Sequence, residues 1–392
     1  MHPQPISEAR SDLRWTRWYY FFLGGQGFIA PYLNLFYTRL LLTGAEIGII
    51  KAAGSVILLF LSPFWANQSE RAANPKRLLQ MALFFTAMGY LLLSQQTAFW
   101  GILVVSVLMS LVGAGMLPLT EGLAVSITNA TKTGFGSIRI LTSIGWVGFV
   151  LLGGWLAQNV SITVDFIGIA VCFLCATAAV SKIRADRFRG AHRAASASVL
   201  MVLNGLRQNP SMVALALMMV ITGLLNNGVL QFENVYLDHL GAPEGLIGVA
   251  GILSAVIEVP CMLWADRLLR RSNPRRLLLM ALLMNASVRL LVLISPSIES
   301  IMLERAAGGV AFSFYTVALI QFMTRNTPNS QTRTVLALYN VALPNLINMV
   351  GAPLTGSIYD TVGMPPLFAM AVVGYLVGWV VLLVGAKPKA QV

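Results

Sequence analysis

The sequence predicts an all-α membrane protein with twelve transmembrane helices in two six-helix bundles. Three observations predict it. The 392-residue chain is 57% hydrophobic and only 11% charged, with a mean hydropathy of +0.74. A soluble globular domain carries about 25% charged residues, so there is too little charge here to cover a water-facing surface. Apolar runs of about 18 residues or more recur from end to end, the mark of spanning segments, and each must satisfy its own backbone in lipid as a helix. Finally, a stretch near the start of one half returns in the other.

Taken in order, residues 1–17 are polar and basic (Arg10, Arg14, Arg17) and lead straight into a full-length span. That pattern is unlike a cleavable signal peptide. Hydropathy places the spans near 17–38, 43–66, 77–95, 99–128, 138–158, 162–181, 211–238, 244–266, 276–294, 298–325, 331–358 and 364–386. The widest polar stretch, 182–210, holds Lys182, Arg184, Arg187, Arg189, Arg193 and Arg207. It divides the chain into an N-terminal bundle (1–181), a cytoplasmic central loop and a C-terminal bundle (211–392).

The repeat joins the two bundles. Residues 64–83, "FWANQSERAANPKRLLQMAL", match 263–282, "LWADRLLRRSNPRRLLLMAL", at an offset of 199 with eleven of twenty positions identical. Both copies follow the second span of their half. Two halves in the same orientation form a parallel repeat, and the duplicated loop reads mainly as scaffold.

The formal charge of +12 is topology. If the N-terminus is cytoplasmic, 22 of the 27 Lys and Arg residues fall on that side and only Arg39 falls outside. Lys51, Arg139, Arg289 and Arg305 lie within spans or at their ends. The positive-inside rule then places both termini in the cytoplasm of a cell (inner) membrane protein. Nucleic acid is not an expected partner; the lipid bilayer and a small-molecule substrate are, with a monomer as the default. Cys172, Cys175 and Cys261 read as packing, because metal or redox chemistry needs a second pair or a histidine cluster nearby. His2, His192 and His239 fall in the tail, the central loop and the outer side, so none is a buried relay. No P-loop, zinc signature or nucleophile elbow is present. That argues against an enzyme or an ATP-driven pump, and leaves a proton gradient as the energy source with no cofactor.

The functional signal lies in charges inside the membrane. An ionised group at mid-bilayer costs about 2.5–3.5 kcal/mol on insertion scales, so it faces a cavity or a partner. The candidates are Lys51, Glu121, Arg139, Glu233, Glu258, Arg289, Glu304 and Arg305, four of each sign. Arg139, Ser143 and Trp146, spaced i, i+4, i+7, share one helix face. An arginine offers a fixed fork of donors, and Glu121 offers acceptors, so together they suit vicinal hydroxyls while Trp146 gives a plate for a ring. The pair can instead be a salt bridge tying two helix ends near the cytoplasmic third of the membrane. Gln26 and Asn34 in the first span are cavity donors or interhelical hydrogen bonds. "NNGVLQFEN" (226–234) adds Asn227, Gln231 and Glu233 in the seventh. Glu304 and Arg305 are either part of a coupling site or a pair near the outer surface.

"GAGMLPLTEGLA" (113–124) and "FGSIRILTSIGW" (135–146) resemble the fourth and fifth helices of the lactose permease and phenylpropionate permease relatives in the major facilitator superfamily. "IGIIKAAGS" (47–55), "SVRLL" (287–291) and "GSIYDTVG" (356–363) extend the resemblance through both halves. It implies a site midway between two six-helix bundles. Glu121 and Arg139 would bind sugar there, Trp146 would stack on its ring, Glu258 would bond sugar and arginine, and Arg289 would stand near the proton site. The chain departs from the family in its tenth helix, where the Lys, His and Glu positions hold Glu304, Ala307 and Val310. Proton coupling must then use Glu258, Glu233 or Glu304, with Arg289 and Arg305 adjacent; burial can bring such carboxyls into the physiological range. The implied function is proton-coupled symport of a small polar ring-bearing solute, a sugar or glycoside, by alternating access. The alternatives are an aromatic-acid or nucleoside importer, or a multidrug or lipid exporter. "GWVGFVLLGG" (145–154) lacks the Gly-Pro of drug antiporters, which leans toward symport.

Overall fold

A computed structural model describes residues 6–71, 74–188, 205–269, 272–328 and 330–386; among them there are helices and turns but no strands. His2, Arg189, His192, Arg193, Arg270, Arg271, Lys387 and Lys389 lie outside the described residues. The helices are α1 (Ile6–Leu23), α2 (Leu33–Arg39), α3 (Gly44–Arg71) and α4 (Pro75–Leu93). α5 (Phe99–Gly113), α6 (Met116–Thr131), α7 (Gly136–Asn159) and α8 (Ile162–Ser181) follow. Then come α9 (Pro210–Leu225), α10 (Asn227–His239), α11 (Glu244–Leu269), α12 (Pro274–Ile294) and α13 (Ile298–Asn326). The last are α14 (Thr332–Ala337), α15 (Leu343–Val362) and α16 (Pro365–Gly385). Among the described residues, ten helical segments are long and apolar enough to cross a membrane. The segment 6–39 and α4 stand where the first and third spans were expected.

The chain forms two compact units. The first is drawn from Met1–Leu42, Ala53–Ala194 and Pro243–Val249, the second from Thr43–Ala52, Ala195–Ala242 and Ala250–Val392. The first has a core of Tyr19, Tyr20, Leu79, Leu83, Leu123 and Ile138; the second, one of Met212, Met218, Leu278, Leu282, Phe314 and Phe322. Large apolar side chains also point outward, among them Trp100 at 72% exposure and Val384 at 77%. A patch of that kind on a water-soluble surface would be an aggregation site; here it is the surface that lipid covers.

The duplicated loop explains itself as two helix starts. The Asn74 side chain accepts from Arg77 N at 3.3 Å, and Asn273 accepts from Arg275 N at 3.0 Å. Pro75 and Pro274 follow at the first helical position, where a missing N–H costs nothing.

Several spans are not the continuous helices that hydropathy suggested. The first gives way at "GGQGF" to a 3-10 turn, Gly24–Phe28, then to turn residues before α2. The glycines there allow close backbone approach. A methyl group on Gly24 would stand 2.5 Å from Trp146 N, and one on Gly27 2.6 Å from Trp146 O. The fourth span breaks between α5 and α6, where Trp65 Nε1 donates to Leu111 O at 3.0 Å. The seventh breaks at Asn226, between α9 and α10. At the repeat offset of 199, Gly27 lines up with Asn226, so the first span of each half breaks at the same place. In the eleventh, Pro344 lacks the N–H an α-turn needs, and a π-helical turn, Leu338–Ala342, precedes it.

The start of the central loop is not free. At the 3-10 turn Ala185–Phe188, Arg184 Nε just before it and Arg187 Nε within it each donate to Asp12 Oδ2 at 3.0 Å. Asp12 is buried, so the two guanidiniums are what permit its charge there.

Candidate functional site

In the second unit four ionisable side chains close on one another. Glu233 comes from α10, Arg289 from α12, and Glu304 and Arg305 from α13. Arg289 Nη1 donates to Glu304 Oε1 and lies 3.4 Å from Glu233 Oε1. Arg305 Nη2 is 2.9 Å from Glu233 Oε2 and donates to Asn234 Oδ1 at 2.8 Å. Tyr375 on α16 stands within hydrogen-bonding reach of Arg289. The two carboxyls also approach each other closely enough for a hydrogen bond once one carries a proton.

Glu233, Arg289 and Glu304 are 2%, 6% and 3% exposed, so this is a desolvated network and not a set of surface pairs. Its assembly follows from the helical hairpin of α12 and α13. Arg289 lies five residues before the last residue of α12, and Glu304 six after the first of α13. They therefore sit at nearly equal depth on neighbouring helices. The alternative of a Glu304–Arg305 pair near the outer surface is not what forms: adjacent helical residues point apart, so Glu304 turns to Arg289 and Arg305 to Glu233. Glu304 Oε2, Arg289 Nε and Arg305 Nε have no hydrogen-bond partner among the described residues, so the network keeps unused donors and an acceptor.

The first unit arranges its charges differently. Glu121 on α6 and Arg139 on α7 are both exposed, and among the described residues they form no ion pair, so the alternative of a salt bridge tying two helix ends is not what forms. Depth along the hairpin gives the reason. Glu121 is ten residues before the end of α6, whereas Arg139 is three after the start of α7. At 1.5 Å per residue they are offset by roughly 10 Å. Tyr20 of α1 is within electrostatic reach of both; its hydroxyl donates to Thr120 O at 3.3 Å. Beside it, the Tyr19 hydroxyl bonds Thr120 Oγ1 at 2.5 Å, and Thr142 Oγ1 donates to Tyr20 O at 2.9 Å. α1 is thus pinned to α6 and α7 around the two charges. On α7, Ser143 is exposed and Trp146 half-buried, continuing the face that begins at Arg139.

The other candidates are scattered. Gln26 is exposed in the broken first span, and Asn34 is half-buried on α2. Asn227 is buried and donates to Asn348 Oδ1 at 2.8 Å, tying α10 to α15. Gln231 is buried on the same helix. Glu258, half-buried on α11, stands apart from the ion cluster; only its backbone carbonyl is engaged, by Ser313 Oγ at 3.0 Å. Lys51 is half-buried, and no acid among the described residues lies within ion-pairing distance of it. The sequence reading missed Tyr20, Asn234, Tyr375 and a further buried acid, Asp165. It also missed Asp360, whose carboxylate accepts from Gly44 N at 2.5 Å and Ala45 N at 2.9 Å and so caps α3. Asp165 and Asp360 each lie within a turn or so of a span's end, where a charge looks solvated.

Buried charges inside apolar helices, with the first span of each half broken at matching positions, define a polytopic membrane transporter. The profile of the MFS_1 like family matches residues 13–370, and the chain belongs to that family. It is 27% identical over 302 residues to the maltose permease of Geobacillus stearothermophilus, covering 76% of this chain and 75% of that one. It is 25% identical over 333 residues to the uncharacterized transporter YwbF of Bacillus subtilis (strain 168), covering 82% and 80%. Among solved structures, a mutant of the nucleoside transporter NupG superposes with a TM-score of 0.81 at 13% identity, over 97% of this chain and 100% of the other. That likeness fixes the fold as the major facilitator fold.

Proposed function

We propose that the chain is a proton-coupled symporter of the cell membrane. It imports a small polar ring-bearing solute, a sugar or glycoside, by alternating access, with both termini cytoplasmic. The observation that carries this reading is the Glu233–Arg289–Glu304–Arg305 cluster. Glu233 faces two guanidiniums and stays ionised; Glu304 faces one, has an unused oxygen, and abuts another carboxyl. Opposite charges favour the ionised form and a like charge disfavours it, so Glu304 is the member that takes the proton. Protonation weakens the hold of Glu304 on Arg289 and leaves the cluster with one net positive charge. That is a local electrostatic change able to bias one conformation over another.

The solute end of the reading rests on the first unit. Arg139, Glu121 and Ser143 present unspent donors and acceptors, and Trp146 an apolar plate. Gln26, Asn34, Asn227 and Gln231 are further polar groups for the solute, and Glu258 is a second carboxyl for solute or proton. The maltose permease relative supports a sugar. A nucleoside is the second reading, favoured by the NupG likeness: ribose carries the same vicinal hydroxyls, and its base would stack on Trp146.

The test is a thermal-shift panel of the purified protein against maltose, monosaccharides, nucleosides and aromatic acids. A ligand of the native state raises the melting temperature. Sugars should stabilise the wild type and fail to stabilise Arg139→Ala. Stabilisation by nucleosides alone would establish the second reading. Stabilisation by a sugar that survives Arg139→Ala would remove Arg139 from the site.

A further inference from the structure

The first unit holds an acid that none of this uses. Asp165, in the first turn of α8, is 0% exposed, and neither carboxylate oxygen has a hydrogen-bond partner among the described residues. No cation compensates it there. The titratable side chain beside it is Tyr32 of segment 29–39. Beyond Tyr32 lies Glu244, whose charge is already taken by Arg39 at 2.8 Å. Gln26 of the 3-10 turn is exposed, and what that turn brings near the carboxyl is the Phe28 backbone, beside Gly153 of α7. α1 turns its tyrosines to Thr120 instead.

The surroundings pack closely about the carboxyl. A methyl group on Gly153 would stand 2.9 Å from the Phe28 carbonyl oxygen and 3.4 Å from Asp165 Oδ1. One on Gly154 would stand 2.7 Å from the Tyr32 hydroxyl, and that hydroxyl is itself buried without a partner. Glycine at both positions is what lets the Phe28 backbone and the Tyr32 hydroxyl approach this closely. An ionised carboxylate buried unpaired is among the costliest groups a protein can hold, and it neutralises instead. The N-terminal dipole of α8 favours a negative charge in that turn, but by far less than the desolvation opposes it. As a neutral acid the group needs one acceptor for its O–H, and the Phe28 carbonyl borders the same space.

We infer that Asp165 is a proton-binding site of the first unit, occupied in this conformation and separate from the ion cluster of the second. The proton adds to a carboxylate oxygen and leaves by the same oxygen, so nothing else is exchanged.

Infrared spectroscopy of the full chain in membranes at pH 7 tests this. A protonated carboxyl gives a carbonyl stretch that an ionised one does not. The wild type should show such a band, sensitive to carbon-13 labelling of aspartate side chains. Asp165→Asn should lack it and Glu304→Gln should keep it, which separates this site from the proposed coupling cluster. If Asp165→Asn fails to fold, Asp165→Glu should move the band and make it insensitive to the aspartate label. An aspartate-label difference spectrum without a carboxylic-acid band would overturn the assignment. So would a band that vanishes with sodium chloride but not choline chloride, which would make this a cation site.

Discussion

The two units hold their intramembrane charges in opposite ways. In the second, Glu233, Arg289, Glu304 and Arg305 are paired with one another, the first three buried and Arg305 partly so. In the first, Glu121 and Arg139 stay exposed and unjoined, about two helical turns out of register, with Tyr20 within electrostatic reach of both. A closed network resists change until a proton alters its balance; an open set is free to take a ligand. That contrast is the basis of the proposal that coupling belongs to one unit and recognition to the other.

Arginine removal breaks the comparison most sharply. Arg289→Met leaves two carboxyls short of a buried cation and should destabilise the protein by about 3–5 kcal/mol. Arg139→Met should change stability by no more than about 0.5 kcal/mol. Parallel thermal and denaturant unfolding of the two variants reads the difference. Equal losses would mean that the charges are held alike.

Next in size is recognition. Arg139→Ala should weaken solute binding by about 1.5–3 kcal/mol, the range for a hydrogen bond to a charged group. That is roughly ten- to 150-fold. Calorimetry measures it, with Arg139→Lys restoring only part because an ammonium cannot reproduce the fork. Smaller still, Asp360→Ala removes the cap on α3 and should cost about 0.5–2 kcal/mol, read as a lowered melting temperature. Tyr20→Phe loses one hydrogen bond, about 0.5–1.5 kcal/mol. It sharpens the contrast if affinity falls further than stability.

Helix positions were legible because lipid enforces a length of apolar sequence, and the Asn-Pro pairs at 74–75 and 273–274 announced helix starts. The breaks were not, because Gly24, Gly27 and Asn226 are tolerated inside a span until a neighbour such as Trp146 presses on the backbone. The candidate charges were all visible as rare groups in apolar runs, but their partners were not. Counting residues from each hairpin turn would have paired Arg289 with Glu304 and separated Glu121 from Arg139. Asp165 escaped because a first-turn acid reads as a solvated helix end, and only the packing of Phe28, Tyr32 and Gly153 around it shows otherwise.

Glu304→Gln in proteoliposomes tests the division of labour most directly, because it keeps the shape of the side chain and removes its proton chemistry. Under an imposed pH gradient the variant should no longer accumulate the solute that stabilises it, while exchanging labelled for unlabelled solute at a rate close to wild type. Uphill accumulation at the wild-type level would contradict the account.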